Sequence, residues 1–171
     1  LEAAEQQAQA AYLKEAQTIS KARAVAAPKL AQAITQAMQG LGMQGGRFEV
    51  QLHKAEHPTQ SGLEEVQFLV AGHAGSTPRP VGKVASGGEL SRIALAIAVT
   101  TSQLGSAQTL IFDEVDSGIG GAIAEVVGRK LRELGGARQV LCVTHLPQVA
   151  AQAREQVAVH KVASDTSTRT V

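Results

Sequence analysis

The sequence predicts an α/β fold: a mostly parallel sheet flanked by helices, with a small antiparallel β element and an N-terminal helical arm. Three observations predict it. Two short apolar runs, Thr109–Phe112 and Val140–Thr144, enclose a segment of helical periodicity, the pattern of a strand–helix–strand crossover. Upstream, Phe48, Val50 and Leu52, and then Val66, Phe68 and Val70, alternate with polar residues, as strands with one buried face do. Residues 1–39 contain no glycine and are dominated by Ala, Gln, Glu and Lys, a helix-forming composition.

Within residues 1–39, Leu13, Ala16 and Ile19, then Leu30, Ile34 and Met38, recur at three- and four-residue steps, a thin amphipathic stripe. Pro28 lacks an N–H, so it is expected to kink or divide this helix. A stripe starting at residue 1 fits a cut helix pairing with another helix, or equally a surface helix of the domain. The two alternating runs are joined by a polar connection holding Pro58 and Gly62, and Ala71–Pro80 is read as a loop. Glu89–Leu104 is read as a core-facing helix through Leu90, Ile93, Ala94 and Ile97. Ile123, Val126, Val127, Leu131 and Leu134 mark the crossover helix, stopped by Gly135-Gly136. Its two flanking strands are expected to be parallel and buried on both faces. Gln156–Lys161 and Arg169–Val171 are read as further strands, the last one truncated. The division expected is a helical arm over 1–39 and an α/β unit over 40–171.

Composition narrows the function. Sixteen Lys+Arg against fifteen Asp+Glu give a net charge of +1, which removes any argument from a global basic field. Aromatic residues make up 2% of the chain, too few for a base-stacking platform. The single Cys142 excludes an internal disulfide and a cysteine-based zinc site and suits a reducing compartment. There is neither a membrane-length apolar run nor a signal-peptide pattern, so a soluble cytoplasmic protein is expected.

The chemistry-bearing residues gather where a parallel sheet presents the carboxyl ends of its strands. Asp113-Glu114 follow the first apolar run and Thr144-His145 close the second. Between the first run and its helix lies Asp116-Ser117-Gly118-Ile119-Gly120-Gly121, loose enough for close backbone approach to a ligand. Ala85-Ser86-Gly87-Gly88-Glu89 opens a helix, where unpaired amides and the helix dipole favour an anion. Each piece has a plainer reading: solvated acids, an N-cap, a satisfied histidine. Together they form a phosphate-like constellation. Gly82-Lys83 is no P-loop, since Thr77 and Val84 occupy positions that need Gly and Ser/Thr. Ser86, Asp113 and His145 follow hydrolase-triad order, but Val84 stands where a nucleophile elbow needs glycine. His53 and His57 are four apart, but with His53 read on a strand and His57 on the loop after it they do not share a face, which argues against a metal pair. Arg129, Lys130 and Arg132 form only a short basic cluster.

These residues carry a resemblance. Ala85-Ser86-Gly87-Gly88-Glu89 resembles the signature motif of ABC-type ATPases, and Thr109 through Asp113-Glu114 resembles a Walker B strand with its catalytic glutamate. Asp116 to Gly120 resembles the D-loop, and Val143-Thr144-His145 the switch histidine. Over the longer strings Lys83–Ala96 and Leu141–Ala151 the chain is similar to the RecN family of bacterial DNA repair proteins, which are SMC-like ABC-type ATPases. The resemblance implies the C-terminal lobe of an ATPase head with a stub of coiled coil, the N-terminal half with its Walker A loop being absent. It implies ATP and Mg²⁺ as cofactors, with Asp113 holding Mg²⁺ through water and Glu114 and His145 as catalytic groups. Ser86, Gly87, Gly88 and Glu89 would contact the ATP of a partner head, with Asp116 at the head–head seam. Partners implied are the missing N-terminal half, a second copy through the heads, and DNA, in a cytoplasmic, nucleoid-associated setting without membrane. A serine hydrolase using Ser86, His145 and Asp113, and a non-catalytic interaction module, are the rivals.

Overall fold

A computed structural model describes residues 2–84, 86–102, 104 and 107–159, and the backbone of 161–164 and 167–170. The first element, α1 (Glu2–Gly40), is a single helix that runs unbroken through Pro28. Proline therefore does not divide it; only the hydrogen bond to the Ala24 carbonyl is forgone. Strands β1 (Arg47–Thr59) and β2 (Gly62–Ala71) form an antiparallel hairpin with Phe48 opposite Val70, Val50 opposite Phe68 and Leu52 opposite Val66. The alternating runs thus pair as one face. The strands are longer than their apolar cores suggest: Pro58 lies inside β1, in a stretch where the register is irregular and a missing N–H is tolerated. A two-residue β3 (Arg79–Pro80) adds to β2 inside the segment read as a loop.

Helix α1 lies along this hairpin. Tyr12 Oη donates to the Thr59 carbonyl at 2.9 Å, Arg23 pairs with Glu64 at 3.3 Å, and Thr35 Oγ1 accepts the Phe48 amide at 2.9 Å. The covered face is Tyr12, Ala16, Ser20, Arg23, Ala27, Ile34 and Met38; Leu13 and Ile19, expected inward, are 36% and 43% exposed. Small residues, Ala16, Ser20 and Ala27, alternate on this face with the larger Tyr12, Arg23, Ile34 and Met38. Ile34 and Met38 belong to the same core as Ile93, Leu95 and Phe112, so the second half of α1 packs into the core of the α/β unit.

A 3₁₀ turn (Val81–Lys83) leads to α2 (Gly87–Thr100). Its buried face is Gly88, Arg92, Ile93, Leu95 and Ala96, whereas Leu90 and Ala94 face outward. It ends at Thr100, and the C-cap Thr101 donates from both its Oγ1 and its amide to the Ile97 carbonyl at 2.8 Å. The crossover follows as expected: β4 (Thr109–Phe112), α3 (Gly121–Leu134) and β5 (Gln139–Cys142), with β4 and β5 parallel and in register from Thr109–Gln139 to Phe112–Cys142. These strands are not buried on both faces. Ile111 is 70% and Val143 62% exposed. A groove of about 390 Å³ runs beside β5, lined by Leu131, Val140, Cys142, Val149 and Val157. A short α4 (Pro147–Ala150) follows; residues 156–159 are not strand, and β6 (Lys161–Ser164) and β7 (Ser167–Thr170) form a separate antiparallel pair. Val171 lies outside the described residues. Among the described residues no helix is long and apolar enough to cross a membrane.

Candidate functional site

Parallel pairing brings the ends of β4 and β5 out side by side, and α2 points its N-terminus at the loop after β4. Ser86 is the N-cap of α2: extended at φ −94° and ψ 121°, its hydroxyl accepts the Glu89 amide at 3.3 Å. Among the described residues no acceptor pairs with the amides of Gly87 and Gly88; Ala85 lies outside those residues. Glycine is required at 88 because a methyl group there would fall 2.8 Å from Ser117 Cβ and 3.0 Å from the Ser117 carbonyl. At Gly87 the space a side chain would fill is taken by the Glu114 carboxylate. Glu89 lies against Gly72 and lines a cleft of about 140 Å³ with Ser86, His73, Ser76, Thr77 and Arg79.

The loop after β4 is tied to α2 from both sides. Ser91 Oγ donates to the Asp113 carbonyl, and Arg92 Nη1 donates to the Ser117 carbonyl at 2.7 Å. Arg92 is 8% exposed and its Nε has no partner among the described residues. Burial lowers its pKa, Glu89 opposes this, and a guanidinium stays charged regardless. Sequence reasoning passed over Arg92; the signal available was a cation on the face set by Ile93 and Ala96. Asp113 and Glu114 are exposed, with Asp113 Oδ1 accepting the Glu114 amide at 2.9 Å. Glu114 holds a left-handed backbone, φ 54°, a strained conformation for a residue with a Cβ.

Asp116 is held from within its own chain. Read as a group at an outward seam, it is 1% exposed and engaged within its own chain. Thr144 Oγ1 donates to its Oδ2, as do the amides of His145 at 3.0 Å and Leu146 at 3.3 Å, and His145 Nδ1 stands 3.4 Å away. Burial pushes the carboxyl up, but the bonds from Thr144, His145 and Leu146, with the His145 ring, outweigh it and hold the pKa below the usual value. Stability from this carboxylate is therefore present above the unfolded pKa, about 3.9, and lost as pH falls through the lower folded one. Asp116→Asn is expected to cost about 1–3 kcal/mol at pH 7, with the gap to wild type closing only in strong acid, as read by urea unfolding across pH.

The triad order does not assemble: His145 Nδ1 faces Asp116 rather than Asp113, and no hydrogen bond among the described residues joins Ser86 to His145. The exposed His145 side chain remains free to meet a ligand. Cys142 is no nucleophile, since burial, with Asp116 and Asp113, pushes its thiol up to about 11. Among the described residues no three His, Cys, Asp or Glu side chains cluster for a metal. The exposed Asp113 carboxylate could serve a magnesium ion as a single ligand, the others drawn from water and phosphate. A phosphate fits the paired glycine amides once the Glu114 carboxylate swings away.

No family model matches the chain. It is 51% identical over 150 residues to the DNA repair protein RecN of Xylella fastidiosa, covering 86% of this chain and 27% of that protein. Against RecN of Haemophilus influenzae it is 46% identical over 156 residues, covering 91% and 28%, and against RecN of Rickettsia prowazekii 35% identical over 169 residues, covering 99% and 30%. In fold it is similar to the Smc head domain with a coiled coil and joint from Pyrococcus yayanosii: TM-score 0.63, 22% identity, 98% of this chain and 31% of that one. The Smc head domain from Pyrococcus furiosus, with an extended coiled coil, matches at TM-score 0.57 and 20% identity over 83% of this chain and 34% of that one. In fold, then, the chain is a lobe of an SMC-type head, and in sequence it belongs to the RecN family, spanning a little over a quarter of the length of the curated relatives it matches.

Proposed function

We propose that this chain is the signature-bearing lobe of an ATPase head in an SMC-like DNA repair protein, working on double-strand breaks in the bacterial cytoplasm. The reading is carried by one observation: the α2 N-terminus, the Asp113–Ser117 loop and the Thr144–Leu146 loop form one bonded surface, with Ser86, Glu114 and His145 all exposed on it. Asp113, exposed at the end of β4, would hold Mg²⁺ as one carboxylate ligand. Bound Mg²⁺ supplies charge neutralisation for phosphoryl transfer. Glu114 takes the proton of the attacking water or orients it, and His145 donates toward the terminal phosphate. Ser86 and the amides of Gly87 and Gly88 donate to the nucleotide of a second copy, since they lie at the outer tip of α2 and not in an enclosed pocket.

The rest of the protein supplies what this lobe lacks. No string in the chain matches a P-loop, and the exposed Ile111, Leu141 and Val143 offer an apolar sheet face for it to cover. A DNA partner rests on kinship with RecN alone. The purified chain is expected to show no ATP turnover, and co-expression with the remainder of its protein to restore it, as followed by phosphate release. Turnover by the chain alone would overturn the reading. The serine-hydrolase and interaction-module readings have no comparable support.

A further inference from the structure

We infer that Asp116 is a positioning residue for its own chain, fixing the Thr144–Leu146 loop and thereby the place of His145. The inference rests on the ATPase reading above. Asp116 follows β4 and the loop follows β5, neighbouring parallel strands whose ends emerge together. A single oxygen, Oδ2, receives the Thr144 hydroxyl and the amides of His145 and Leu146. Three donors saturate one carboxylate oxygen, and at 1% exposure the group has no free approach to a second copy. Leu146 is also the N-cap of α4 and has no side-chain cap of its own, so Asp116 acts as a remote cap for the turn that carries His145. Thr144 Oγ1 closes the arrangement by accepting the Leu146 amide at 3.2 Å.

A role within one chain and a role across two chains predict different outcomes in mixed dimers of the full-length protein. Asp116→Ala is expected to lower kcat at least about tenfold with the KM for ATP little changed, and Asp116→Asn, which keeps one acceptor oxygen, to recover part of it. Equimolar mixing of Asp116→Ala with Ser86→Arg is then expected to return about a quarter of wild-type turnover, because half of the randomly paired dimers are mixed and each keeps one intact site. A role at the partner's nucleotide leaves no intact site, and turnover near zero would overturn the inference. Mixing Glu114→Gln with Ser86→Arg is the control; if it returns nothing, the composite-site reading fails instead. Amide exchange at His145 and Leu146 judges Asp116 in either case. Protection is expected to fall at least about tenfold in Asp116→Ala and to hold in Ser86→Arg, and unchanged protection in Asp116→Ala would sink the inference.

Discussion

Glu114→Gln in the full-length protein is expected to lower ATP turnover by roughly 10²–10⁴-fold while nucleotide binding persists, the effect of removing a general base. The substitution is nearly isosteric, and the left-handed backbone at this position is equally strained for either residue, so the fold is not disturbed. What changes is the negative charge that lies against Gly87 at the positive end of α2. Losing it leaves that helix end freer to accept phosphate, so ATP-dependent pairing of heads is expected to persist longer than in wild type. Single-turnover hydrolysis and size-exclusion chromatography with ATP measure the two effects separately. Turnover within about twofold of wild type would remove Glu114 from the chemistry.

Ser86→Arg carries the second large effect: turnover is expected to fall at least about 100-fold with ATP binding retained, because the hydroxyl serves the opposite head. Ser86 also caps α2, and losing a cap costs about 0.5–2 kcal/mol, so arginine alone confounds helix stability with ligand contact. Ser86→Asp separates them. Aspartate keeps the cap yet sets a negative charge where phosphate must approach, so it is expected to leave thermal stability near wild type and still abolish turnover. Fluorescent-nucleotide titration and a thermal melt decide the matter. Loss of nucleotide binding in Ser86→Asp would show that the serine serves its own chain's nucleotide.

The crossover, the hairpin register and the capped start of α2 were legible because each depends on short-range pattern. Alternation at Phe48, Val50 and Leu52 set the paired face, and Ser86 ahead of two glycines marked the N-cap. The buried faces were harder. On α2 the apolar residues Leu90 and Ala94 point outward while Arg92 is buried beside Ile93, Leu95 and Ala96, because its hydrogen bond to the Ser117 carbonyl also ties the helix to its loop. On β4 and β5 continuous apolar runs signalled two covered faces, of which these residues cover one. The site's members, and their gathering at one sheet edge, were legible, but the seam came from the resemblance alone, and local pattern does not show which donors meet Asp116. Its partners Thr144 and Leu146 are some thirty positions away, reached only through parallel pairing.

The helix splinted to the hairpin has a mechanical consequence. At about 1.5 Å per residue, the 39 residues of α1 extend about 58 Å, and the ties from Tyr12 to Thr59 and from Arg23 to Glu64 stop most of that length from flexing independently. A ten-degree tilt at its seated end sweeps the free end by roughly 10 Å. Small rotations at the end of α1 packed beside Ile93 and Phe112 are thus geared up into displacements many times larger near Glu2.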